Sequence, residues 1–314
     1  MNRSRVKSVD VIRGLAVLWM VLFHTLDFFV DFQKYGHTWY DFLVLTNWLP
    51  TFMFVSGMSV WLMVNKRLGS GFSRWKILLH GLKRYVSYIF LGLILCLWLF
   101  DFQSFLDFNE ILVAIGVYAL ATLCLLLVVF GAEWIFLPLA FVVYALSFWF
   151  RGSLGSQALP FYLMLPFCFL GVFSAKFIIE KNLNKLALFE LLLLVVIVVL
   201  AFLGDSFSYV EDSLGFVVYN VLLIIVLFVI VDNFQHAKIL NVFSFAGRNA
   251  LFFYVFYFAV WFKLAGFLDI SQTFDWPSSI LLTSLIVAVI FLCAHLKSRI
   301  LQYFRKIVLK PKSV

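Results

Sequence analysis

Charge is what this sequence has least of. Only 13% of its 314 residues are Asp, Glu, Lys or Arg, against about 25% in ordinary soluble domains. No polar stretch between the apolar segments is long enough to build a core of its own, so a separate water-soluble domain is excluded. Cysteine is scarce too. Cys96, Cys124, Cys168 and Cys293 lie singly in apolar segments, with no C-x-x-C or other ligand spacing. They read as small core hydrophobes, and no metal site is expected. The N-terminus is basic and then apolar, like a secretion signal, but no small-residue cleavage site follows it, so the first apolar segment is expected to stay as a span. Internal repeats, low-complexity tracts and an inverted pair of broken helices, the marks of many transporters, are also missing from the pattern. What fills the chain is hydrophobic: 64% of residues, with 40 Phe among them. The chain is an integral membrane protein of the all-α class.

Apolar stretches of about 17–25 residues are long enough to cross a bilayer as helices. The sequence offers ten: 10–30, 48–65, 83–100, 110–130, 134–150, 158–179, 186–203, 214–231, 249–267 and 278–296. The fourth and fifth are parted only by Gly131-Ala132-Glu133, and Pro138, Pro160 and Pro166 kink or bound the fifth and sixth. With the N-terminus in the cytoplasm, every Lys and Arg except Lys34, Arg151 and Lys263 falls on the cytoplasmic side, whereas most of the 16 acids fall outside. A missed span would invert everything downstream of it, so this asymmetry supports both the count and the orientation. The expectation is one domain over 1–314, multi-pass, with both termini cytoplasmic and a basic cytoplasmic tail over 297–314. In a prokaryote the membrane would be the plasma membrane. The net charge of +8 then reflects cytoplasmic loops and contact with anionic membrane lipid, and no nucleic-acid partner is expected. A homodimer is left open.

The first span carries groups that hydrocarbon does not welcome. Ser8-Val9-Asp10-Val11-Ile12-Arg13-Gly14 leads into an apolar run that reaches His24 and Asp27. An ionisable group at the bilayer centre costs a few kcal/mol on insertion scales, and such groups usually pair or work. At about 100° per residue, Arg13 and His24 lie within about 20° of each other, with Asp27 and Asp31 beside them and Asp10 about 60° away. The helix therefore carries a polar seam, with a cation at the cytoplasmic end and an imidazole about 16 Å further out. His37 follows in the outer loop. Asp10 and Arg13 at i, i+3 also suit a simple ion-paired helix start.

Three stretches of the sequence resemble one family. Ser8–Gly14 is similar to the first-span signature of the heparan-α-glucosaminide N-acetyltransferases. Pro50-Thr51-Phe52-Met53-Phe54-Val55-Ser56-Gly57-Met58-Ser59 resembles their next apolar motif. Gly247-Arg248-Asn249-Ala250-Leu251-Phe252-Phe253-Tyr254-Val255 resembles their G-x-N-(x)4-Y helix start. Arg13 and His24 also reproduce the R-x10-H spacing of the related acyltransferase-3 proteins. The resemblance implies acetyl-CoA or another acyl-CoA as donor, bound from the cytoplasm, and a sugar or glycolipid acceptor acylated outside. By position, His37 matches the family's loop histidine, thought to be catalytic. His24 falls where the heparan enzymes have Asn and the acyltransferase-3 proteins have His. Asn249 and Tyr254 match the late polar pair. Where the heparan enzymes show Tyr-x-x-His, this chain reads Tyr254-Val255-Phe256-Tyr257, so Tyr257 stands in for a histidine.

The residue types suit such chemistry in their own right. Acyl transfer from a thioester needs a base near neutral pH, which His supplies, and Asp27 can orient that imidazole. Asn249 or Tyr254 can donate to a developing oxyanion, or bind the donor together with Arg13, whose fork suits its phosphates. The basic run Lys66, Arg67, Arg74, Lys76, Lys83, Arg84 is expected to be a lipid-facing anchor, with a grip on the nucleotide of CoA as the alternative. The rival class is a proton-coupled transporter or exporter using the Arg13/His24/Asp27 seam.

Overall fold

The computed structural model describes residues 6–30, 48–99, 111–154, 161–180, 183–203, 214–267 and 276–308. The fold is all-α. In chain order the helices are α1 (Lys7–Phe29), α2 (Trp48–Leu68), α3 (Arg74–Leu99), α4 (Ile111–Val129), α5 (Phe136–Leu154), α6 (Phe161–Ile179), α7 (Leu183–Phe202) and α8 (Leu214–Asn233). They are followed by α9 (Ile239–Arg248), α10 (Ala250–Phe256), a π-helical turn over Tyr257–Phe262, α11 (Lys263–Phe267) and α12 (Trp276–Val308). Among the described residues six helices are long and apolar enough to cross a membrane, or seven if the bent α9–α10 pair counts as one span. Shorter apolar stretches lie in α5, α6 and α7.

Local chemistry explains several boundaries. The expected break after the fourth span is present: Gly131 takes φ +99°, open to glycine without a Cβ clash, and a short 3-10 turn over Glu133–Ile135 leads into α5. The carboxylate of Glu133 is buried there and accepts from the Trp61 indole Nε1 at 3.4 Å and from the Gly131 N–H at 3.3 Å. Pro138 sits in the first turn of α5, where its missing N–H costs nothing. Pro166 lies inside α6. Two helices outrun their apolar windows. α3 begins at Arg74 rather than 83, and α12 continues to Val308 through part of the basic tail. Two of the cysteines, Cys96 and Cys168, are buried as expected, but Cys124 is exposed on the apolar outer surface.

One departure changes the picture of the ninth span. Helix starts at Ile239, ten residues before the expected 249, and the chain turns by 71° between α9 and α10. The sequence reading found no broken helix, and here there is one. Its cause is local. Asn249 leaves the helical region at φ −110°, ψ 17°, and its Nδ2 donates back to the Phe245 carbonyl at 3.0 Å instead of capping α10. The π turn after α10 is a second irregularity of a kind often found at functional sites, and there Trp98 Nε1 donates to the Ala259 carbonyl at 3.2 Å.

α1 is the buried centre. Val11, Ile12, Val17, Met20 and Val21 are wholly buried, and the helix packs on α2, α8, α9, α10 and α12. Its closest neighbour is α9, through glycines on both sides. A Cβ on Gly14 would collide with the Phe243 carbonyl oxygen, and one on Gly247 with that of Asp10. α2 and α6 meet in the same way, Gly57 against the Cys168 carbonyl and Gly171 against that of Phe54. Small residues let membrane helices approach backbone to backbone, where dispersion supplies what the hydrophobic effect cannot. At the periphery α7 turns Leu188, Leu191, Leu192, Val195 and Val199 outward, as a lipid-facing helix must.

Candidate active site

The N-terminal half of the α1 seam opens into a cavity. Arg13 projects from the second turn of α1 with both arms engaged. One amino group reaches Asp10 Oδ1 at 3.2 Å and the other donates to Ser59 Oγ at 2.7 Å. Ser59 in turn donates to the Val55 carbonyl at 2.7 Å. Asp10 is buried and Arg13 half-buried, so the ion-paired helix start is present. It also forms one wall of a cavity of about 90 Å³. Ser56 and Ser59 of α2, Arg84, Tyr85 and Tyr88 of α3, and Tyr254 of α10 face the same space. Phe52, Ile111, Leu112, Ile115, Ala250 and Leu251 complete the lining. The floor is thus aliphatic and the rim carries two guanidinium groups and five hydroxyls, a combination suited to an amphipathic anion. The bend at Asn249 matters here because it aims α10, and Tyr254 with it, at the cavity.

His24 belongs to a different environment, about 16 Å further along α1. Phe23, Trp48 and Phe258 meet its imidazole edge-on, with ring centroids 5.2–5.4 Å away, and Tyr257 stacks on it at 6.4 Å with 29° between planes. Its Nε2 is sealed from solvent without a hydrogen-bond partner among the described residues. A buried polar atom left unpaired costs about 1–3 kcal/mol, and in a native protein it needs an explanation. The hydroxyls of Thr25 and Tyr257 lie 3.3 Å apart beside it. Tyr257, which stands where the resemblance would place a histidine, is therefore packed directly on His24, which stands where it would place Asn.

The two environments share a wall of rings. Phe52 lines the cavity and touches Trp48 at 5.7 Å, and Trp48 touches His24. Tyr254 lines the cavity and touches Phe258 at 4.7 Å, and Phe258 touches His24. Of the residues singled out in the sequence, Arg13 and Tyr254 meet at the cavity and His24 lies behind its aromatic wall. Asn249 stands at the helix break with its side chain turned back on α9. His37 lies outside the described residues, as does the side chain of Asp27. Sequence reasoning gave no role to Tyr85 and Tyr88, quoted Ser56 and Ser59 only as part of a motif, and read Arg84 within a lipid anchor with a grip on CoA as the alternative. The available signal was the Arg84-Tyr85 pair with Tyr88 one turn on, hidden because the third apolar window began at 83. Among the described residues no three His, Cys, Asp or Glu side chains are grouped to hold a metal ion.

A family model described as heparan-alpha-glucosaminide N-acetyltransferase, catalytic, matches residues 5–210. The chain belongs to that family. The match takes in the first two motifs, with Arg13, His24, Ser56, Ser59 and Arg84, and stops short of the late motif at 247–255. Tyr254 joins the family-matched residues through space, across the cavity. No curated protein matches the chain.

Proposed function

We infer that this protein is a membrane acyltransferase that moves an acetyl or short acyl group from cytoplasmic acyl-CoA to an amino sugar or glycan on the outer side. The observation that carries the reading is the paired arrangement on α1: an amphipathic, cation-bearing cavity at Arg13, and, behind a ring wall, a His24 imidazole whose Nε2 has no hydrogen-bond partner among the described residues. The family supplies the reaction class. In this reading the chain crosses the membrane ten times with both termini cytoplasmic, a topology supported by the distribution of Lys and Arg.

The donor enters the cavity. Arg13 and Tyr254 hold its polar part while the aliphatic floor takes the pantetheine arm. The thioester carbonyl is drawn towards the ring wall. His24 accepts a proton from the acceptor amine or hydroxyl as its nitrogen or oxygen bonds to the acyl carbon, and the C–S bond breaks. The released thiolate takes up a proton and leaves with CoA. The resemblance adds His37 as a second imidazole that can take up the proton, and Asp27 is read as the orienting carboxylate. An alternative route through an acyl-histidine uses the same groups. The bent α9–α10 pair is the feature a transporter reading can claim. Against it, α1 presents wholly buried Val17, Met20 and Val21 between Arg13 and His24, which no proton relay can use.

The test is direct. Purified protein is incubated with labelled acetyl-CoA and a panel of amino sugars and glycolipids, and labelled product and free CoA are measured. Product formed by the wild type and lost in the His24→Ala/His37→Ala double variant is the expected result. Full transfer by the double variant overturns the site, and no CoA release with any acceptor overturns the enzyme reading.

A further inference from the structure

The basic run at the start of α3 divides in two. Arg74, Lys76 and Lys83 are exposed, as an anchor at the membrane surface requires. Arg84 is half-buried and lines the cavity. Its Nε donates to the Tyr88 hydroxyl at 3.2 Å, and its guanidinium carbon lies 5.7 Å from the ring centroids of both Tyr85 and Tyr88. These contacts fix the plane of the fork while occupying only Nε. Its terminal amino groups make no hydrogen bond, and no carboxylate pairs with it, among the described residues. Arg13 is the contrast: a serine and a carboxylate hold its two arms, and Asp10 balances its charge. Among the described residues the uncompensated positive charge of the cavity therefore sits on Arg84, pre-oriented and with donors to spare. Such a fork suits a phosphate ester, which it can grip in bidentate fashion.

We propose that Arg84 is a specificity-determining residue that binds a phosphate group of the CoA donor, with Tyr85 and Tyr88 as its positioning residues. This rests on the reading of the cavity as the donor site. A phosphate ester also occurs in lipid headgroups, and the experiment separates the two.

Full-length protein is placed in phosphatidylcholine nanodiscs, and the Kd values of CoA and of pantetheine, which shares the thiol arm but lacks phosphate, are measured. In the wild type CoA binds more tightly than pantetheine. Arg84→Gln weakens CoA about 10- to 100-fold, as expected for charge-assisted hydrogen bonds, and leaves pantetheine within about twofold, with Arg84→Lys between the two. Tyr88→Phe, which keeps the charge and removes the hydroxyl, gives a smaller loss of CoA affinity. If Arg84→Gln does not give a monodisperse protein, Arg84→Lys and Tyr88→Phe carry the comparison. Equal losses for both ligands reduce Arg84 to a packing role and overturn the proposal, as does no loss for either. A loss seen only in retention of added phosphatidylglycerol, with CoA unaffected, assigns Arg84 to a headgroup and also overturns it. Wild-type protein that binds neither ligand sinks the donor reading itself, whereas wild-type binding that Arg84→Gln leaves intact sinks only the role of Arg84.

Discussion

The two polar regions of α1 treat their side chains in opposite ways. At Arg13 every arm of the cation has a partner, and the surrounding hydroxyls face open space. At His24 the Nε2 nitrogen has none among the described residues, and aromatic rings close around it. The first arrangement suits a binding site, in which charge is held in place before the ligand arrives. The second carries a standing cost of about 1–3 kcal/mol for an unpaired buried atom, which persists where a partner arrives only during turnover. In the proposed reading, binding and chemistry fall on different turns of one helix, separated by Trp48, Phe52, Tyr254 and Phe258.

The most drastic intervention removes both regions together. Gly247→Leu places a side chain on the Asp10 carbonyl and drives α9 from α1, dragging Tyr254 off the cavity and Tyr257 off His24. Such overpacking against backbone cannot be relieved by a rotamer change, so loss of folded protein is expected, read as a collapsed monodisperse peak and a lowered Tm. A cleaner cut divides the two. His24→Ala lowers the rate of acyl transfer about 10²- to 10⁴-fold while the Kd of acyl-CoA changes less than about twofold, measured by single-turnover kinetics beside calorimetry. A parallel loss of affinity would merge the regions into one site.

Arg13→Ala acts on the other side. It leaves buried Asp10 without its cation and costs about 1–3 kcal/mol of stability, and adding Asp10→Asn recovers part of that in thermal unfolding. If the second substitution recovers nothing, the pair is not what stabilises this end of the helix. A subtler exchange concerns the stacked pair. His24→Asn and Tyr257→His each cost activity, but the double variant restores an imidazole to the same contact, so its activity exceeds that of His24→Asn alone. Equal activity of the two would show that the contact is not shared. The smallest effect is that of Ser59→Ala, which removes one charge-assisted hydrogen bond of Arg13. It weakens donor binding by a factor of about ten or less and leaves the turnover of bound donor unchanged.

Much of this was legible in the sequence because hydrocarbon punishes polarity. Arg13 and His24 stand out in an apolar helix, and both lie where the structure builds something. Gly131 announced its break by being glycine before a charged residue in an otherwise unbroken apolar run. The bend at Asn249 was not legible. Ile239–Arg248 mixes Asn241, Ser244 and Arg248 with apolar residues, so it reads as a loop, and only its packing on α1 makes it a helix. The inward turn of Arg84 was hidden for a related reason, within a basic run read first as an anchor and second as a grip on CoA. A hydropathy window treats a basic residue at its edge as the membrane rim, yet α3 starts nine residues before that window and turns Arg84 inward. The ring wall left no trace at all, since in a chain with 40 Phe another aromatic carries no information about its neighbours.

The reciprocal glycines have a mechanical meaning. Where a carbonyl oxygen of one helix occupies the place of its neighbour's missing Cβ, the pair can neither slide nor separate without first losing those contacts, and Cα–H···O attraction adds to the lock. α1 with α9, and α2 with α6, are therefore riveted beams. The two beams hold the arginine and the serines of the cavity in fixed register. α10 carries no such glycine and is flanked by a bend and a π turn, so the seven residues carrying Tyr254 are held instead by the packing of buried Ala250, Phe253 and Tyr254.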